Sequence, residues 1–136
     1  MAGIIFSKKD LTSLVDYHIA LLERFGFSDE EPFSIIYFLP GSSKEAQSVD
    51  MIKKILRQSD ALFELDNAYV ILLTCSDWNG ANELLAGIQD FLGQKICDNL
   101  VSYPEDGTNA KALLERLESF VEKNTNKIVN LKDVEL

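Results

Sequence analysis

Apolar and polar positions along the chain alternate between two rhythms. Leu11, Leu14, Val15, Leu22 and Phe25 recur at helical spacing, Asp10 or Thr12 can cap the run and Gly26 ends it, which predicts a first helix. His18, the single histidine, falls on or beside that stripe and is expected as a partly buried structural residue rather than a ligand or base. After a polar break at 28–32, residues 33–39 read FSIIYFL, a strand stopped by Pro40-Gly41. Ala46, Val49, Ile52, Ile55 and Leu56 mark the buried stripe of a second helix, starting at Ser42 or Ser43 and running to about Gln58.

The other elements gather around the stretch 61–74, ALFELDNAYVILLT. Its first arm alternates, with Ala61, Phe63 and Leu65 on one face and Leu62 and Glu64 on the other. Its second arm is apolar throughout, as suits a strand covered on both faces. Asp66-Asn67 tolerates the left-handed backbone of a two-residue turn, so the arms form a hairpin, and its buried arm belongs mid-sheet. Asp77 looks like the cap of a third helix, from Trp78 to Phe91 or Leu92. Residues 99–103 form a short strand ended by the turn Pro104-Glu105-Asp106-Gly107. Asn109 caps a fourth helix carried by Ala112, Leu113, Leu117, Phe120 and Val121, and 127–131 (KIVNL) is expected as a final edge strand.

The order α-β-α-β-β-α-β-α-β describes an α/β (α+β) protein on a ferredoxin-like split βαββαβ core. An extra N-terminal helix and a C-terminal helix plus edge strand elaborate it. Nothing divides the 136 residues, so one domain over 1–136 is expected, and the initial Met favours a complete chain.

Composition narrows the partners. With 22 acidic residues against 13 basic and a net charge of −9, the chain is poorly suited to nucleic acid or to an anionic membrane surface. No apolar run approaches a membrane span, and Lys8-Lys9-Asp10 interrupts anything like a signal peptide, so the expected location is the cytoplasm. Cys75 and Cys97 have no CxxC partner and no histidine near them. Buried reduced thiols are expected ahead of a disulfide, and no metal or cofactor is expected.

Five segments carry a further pattern. They are Asp10-Leu11-Thr12-Ser13-Leu14; the strand 33–39; Arg57-Gln58-Ser59-Asp60; Ser102-Tyr103-Pro104-Glu105-Asp106-Gly107, followed by Leu113-Leu114-Glu115-Arg116; and 123–128. Their order and spacing resemble the GGDEF domain, the diguanylate cyclase fold of bacterial signalling. They are similar in turn to its D-x-L-T-G-L helix start, first strand, R-x-x-D, S-x-Y-P-x-D-G…L-L-x-x-A and closing K-x-x-G-x-N-x-V.

The resemblance implies an enzyme that joins two GTP molecules, with magnesium on carboxylates and glycines that let a hairpin backbone approach phosphate. At those positions this sequence departs from the family. Its turn reads Leu65-Asp66-Asn67-Ala68-Tyr69, without glycine and without an acidic pair. The first metal-binding aspartate would fall at about Leu39, and 37–43 holds no carboxylate. The stretch from there to Arg57, where guanine-binding elements should lie, is shorter than the family pattern, and Asp16-Tyr17 stands where the family usually has Asn-Arg. No catalytic residue is expected, and the chain is not expected to be an enzyme.

Three functions remain in competition. The first is a degenerate, catalytically inactive GGDEF-like module for signalling or protein interaction, with a protein partner or a second copy. The second is a cyclic di-GMP sensor. In active cyclases the R-x-x-D binds that product, and Arg57 with Asp60 would clamp phosphate and guanine here. A helix-end arginine and a loop aspartate are the structural alternative for the same pair. The third is a residual cyclase. For the first, Phe38, Leu39 and Pro40 with Leu65, Ala68 and Tyr69 would form an apolar rim that binds protein, unless the shortened segment folds over and buries them.

Overall fold

The sheet begins earlier than the periodicity predicts. The computed structural model describes residues 4–26, 32–38, 54, 56, 60–65, 68–74, 76–92, 99–125 and 129–131. In it β1 (Ile4–Ser7) leads through a single 3-10 turn into α1 (Leu11–Arg24). Then come β2 (Phe33–Phe38), β3 (Ala61–Leu65), β4 (Ala68–Leu73), α2 (Trp78–Leu92), β5 (Leu100–Tyr103) and α3 (Ala110–Thr125). The strands form one sheet in the order β1-β3-β4-β2-β5. β3 and β2 both run antiparallel to β4, so they are parallel to each other with β4 between them, which is the split β-α-β arrangement. This is a mixed α/β fold of the ferredoxin-like type.

The strand pattern explains the two layers of core. Ala68, Val70 and Leu72 of β4 join Phe33, Ile35, Phe63 and Val101 on one face, under Leu11, Val15 and Ile19 of α1 and Leu113 and Leu117 of α3. Tyr69, Ile71 and Leu73 join Ile36, Leu62 and Leu100 on the other, under Ala81 and Leu85 of α2. β4 is third of five strands and buried at every position, as its unbroken apolar run requires. Side chains three and four apart on each helix share a face, and these are the ones the sheet covers.

The expected caps form at α2 and α3 but not at α1, where Asp10 stands at the N-cap without a side-chain cap bond and its Oδ2 accepts from Ser7 Oγ at 3.3 Å. Asp77 Oδ1 accepts the Gly80 N–H at 2.9 Å, and Asn109 Oδ1 accepts the Ala112 N–H at 2.8 Å. Gly26 closes α1 at φ 73°, a conformation that favours glycine. No described helix is long and apolar enough to cross a membrane.

Two expectations at the chain ends need correction. The chain opens with a strand, not a helix: β1 pairs parallel with β3, Ile4 opposite Ala61 through Ser7 opposite Glu64, and Phe6 stacks on Phe63 at 5.5 Å. At the other end, residues 129–131 of the expected strand 127–131 are not in the sheet. Val129 and Leu131 still pack on the first core layer, and the Leu131 N–H is satisfied by Glu118 Oε2 at 2.7 Å instead of by a strand. Most of the second helix expected over 42–58 lies outside the described residues; within it Lys54 is helical and Leu56 is buried in the second layer.

Candidate functional site

The β3–β4 hairpin has two ends, and the candidate residues divide between them. Asp60 precedes β3 and Thr74 follows β4, so both stand at the open end. Leu65 and Ala68 stand at the turn, roughly 17 Å away along the strands.

At the open end Asp60 is 3% exposed. Its Oδ1 accepts the Thr74 N–H at 3.0 Å and the Thr74 hydroxyl at 3.1 Å, tying the start of one arm to the end of the other. The hydrogen bonds continue across the sheet. Ser76 Oγ donates to the Thr74 carbonyl at 3.3 Å, and Ser34 Oγ donates to the Ser76 carbonyl at 2.8 Å. Ser34 Oγ also meets Ser102 Oγ at 2.8 Å. A hydroxyl has one proton, and Ser34 uses its own on Ser76, so Ser102 is the donor in that pair. Asp106 Oδ2 then accepts the Ser102 N–H at 2.8 Å, and Arg116 Nε donates to Asp106 Oδ1 at 3.1 Å.

This row runs from β3 to α3 and leaves no described buried side-chain polar atom without a partner. Asp106 does more than complete it. Its own N–H donates to the Ser102 carbonyl at 2.8 Å, so one residue occupies both polar groups of an edge-strand residue. Gly107 follows because a Cβ there would sit 3.0 Å from Ala112 Cβ and 3.0 Å from the Leu113 nitrogen.

Tyr103 stacks on Phe33 at 4.9 Å, and Phe33 takes the edge of the half-buried His18 ring at 5.0 Å. Burial lowers the His18 pKa below its usual 6.5. Asp16 Oδ1 accepts the Ala110 N–H at 2.9 Å, fixing α1 to the first turn of α3. Asp60 and the segment 102–107 therefore meet in one hydrogen-bonded row that does structural work. Sequence reading missed this row because its members are far apart in the chain.

Arg57 lies outside the described residues, as does Leu39. Phe38 pairs through its backbone with Tyr69. Tyr69 is 5% exposed and belongs to the second core layer with Leu62, Ile71 and Leu73. Leu65 is half-buried against the first layer. Of the expected rim, Leu39 and Pro40 lie outside the described residues; the register puts Phe38 opposite Tyr69 and Leu65 opposite Ala68, but Tyr69 and Ala68 enter the core. The ladder continues to Leu65 opposite Ala68, and the two residues between them in the sequence lie outside the described residues. Among the described residues, no three of His, Cys, Asp or Glu gather as a metal site.

No family model matches the chain, and no curated protein does. In fold it is similar to the crystal structure of a DGC protein from Thermotoga maritima, with a TM-score of 0.64 and 15% sequence identity. The superposition covers 85% of this chain and 94% of that one. A likeness at that identity concerns the backbone, and the conclusion it supports is that this chain has the fold of that DGC protein.

Proposed function

We propose that this chain is a catalytically inactive relative of the diguanylate cyclases that works as a protein-interaction module in signalling. The observation that carries the reading is the ladder reaching Leu65 opposite Ala68, positions between which the sequence has two residues, neither of them glycine. A polyphosphate approaching a hairpin needs backbone with no Cβ in the way, and its charge needs a metal held on several carboxylates. A two-residue Asp-Asn turn supplies one carboxylate and no glycine. What remains is a well-packed scaffold whose polar groups at the open end serve one another. The test is turnover. Incubated with GTP and magnesium or manganese, the protein is expected to yield no cyclic di-GMP above a protein-free blank. Product formation that Asp66→Ala removes would overturn the reading.

A further inference from the structure

Helix α1 carries two rows of apolar residues, and only one of them is fully taken into the core. Leu11, Val15, Ile19 and Leu22 are buried in the first core layer. Beside them run Asp10, Leu14, Tyr17, Leu21 and Arg24, spaced by four, three, four and three residues. That spacing averages close to the helical repeat, so the five lie along one line of the surface, about 21 Å long. Leu14 is half-buried and packs in part on the first core layer, Leu21 is half-buried, and Tyr17, at 61%, is the most exposed large hydrophobic side chain among the described residues. The Asp16–Ala110 bond at 2.9 Å fixes α1 on α3 and so holds this second row outward.

The row reads nearly the same in both directions. Asp10 stands seven residues before Tyr17 and Arg24 seven after it, with Leu14 and Leu21 between. We propose that α1 is a self-association seam: two copies of this chain pack α1 against α1, antiparallel, about a two-fold axis at Tyr17. The charges select both the partner and the direction. In the antiparallel pairing each Asp10 lies beside the other copy's Arg24. In a parallel one, Asp10 would face Asp10 and Arg24 would face Arg24. A two-fold contact must be complementary to itself, and this row meets that requirement. The two Tyr17 rings meet at the axis, where an offset or edge-on pair adds to the apolar contact of the leucines.

One helix face on each side is smaller than the surface of roughly 800 Å² per partner typical of stable complexes, so the dimer is weak and concentration-dependent. This inference rests on the interaction reading above for its choice of a protein partner. The two fail separately, because turnover decides that reading and molecular mass decides this one.

Sedimentation equilibrium of the full chain, from about 10 μM to about 1 mM, tests the seam. Over this range a weak dissociation constant is readable. The average mass is expected to rise from one chain toward two. Tyr17→Glu is expected to abolish the rise. Asp10→Arg alone and Arg24→Asp alone should each raise the dissociation constant at least tenfold, and the double variant should return it to near the wild-type value. Circular dichroism confirms that each variant is folded, and the charge-swap arm stands even if Tyr17→Glu unfolds. A wild type that stays monomeric at the highest concentration overturns the proposal. So does a dimer insensitive to all these variants, or a double variant as weak as the single ones.

Discussion

The two ends of the β3–β4 hairpin are built on opposite terms. At the open end, Asp60, Thr74, Ser76, Ser34, Ser102, Asp106 and Arg116 form a continuous hydrogen-bonded row. At the turn end, Leu65, Ala68 and Tyr69 face the two core layers, and the strands close with two residues to spare. The polar end contains most of what resembles the cyclase family, and there it holds strands together. The turn end is where the resembled family's phosphate chemistry would need glycine and carboxylates, and its described residues Leu65, Ala68 and Tyr69 pack into the core layers. A resemblance carried by the first end therefore informs on architecture far more than on activity.

Stability measurements can break this contrast. Tyr69→Ala removes a buried aromatic from the second layer and is expected to cost about 3–5 kcal/mol in urea denaturation. A loss of only a few tenths would return Tyr69 to the role of a surface anchor. Asp60→Ala removes the acceptor for the Thr74 N–H and hydroxyl and is expected to cost about 3 kcal/mol. Asp60→Asn, which keeps a carbonyl acceptor, should recover much of that. An Asp60→Ala variant as stable as wild type would detach the aspartate from the row and make it available for a ligand. Arg116→Ala, at the exposed end of the row, breaks one ion pair and a cation–ring contact with Phe120 at 5.2 Å, and should cost less than about 1 kcal/mol.

The sequence shows those elements whose pattern is local. The apolar run of β4 and the caps Asp77 and Asn109 depend on neighbours a few residues away, and each appears in the structure where periodicity places it. β1 escapes the same reading because Ile4 to Ser7 is too short to show a period, and its partner β3 lies more than fifty residues along the chain. Residues 129–131 carry strand-like composition, but side-chain burial and a carboxylate on α3 satisfy them without a sheet. The candidate site divides in the same way. The loss of glycine at the turn is visible in the sequence, whereas the bond from Ser34 to Ser102 spans 68 residues and only the folded sheet brings it together. For Tyr69 the sequence offers two places, the covered second arm of the hairpin and an apolar rim at its turn, and the register with β2 and α2 above it decide for the core.

Isothermal titration of GTP and of cyclic di-GMP into the full chain tests most directly the proposal that this fold is kept here without nucleotide chemistry. Neither nucleotide is expected to bind, and Arg57→Ala should give the same flat titration as wild type. Micromolar binding of cyclic di-GMP that Arg57→Ala weakens at least tenfold, about 1.4 kcal/mol, would contradict the claim and make the polar end a ligand site.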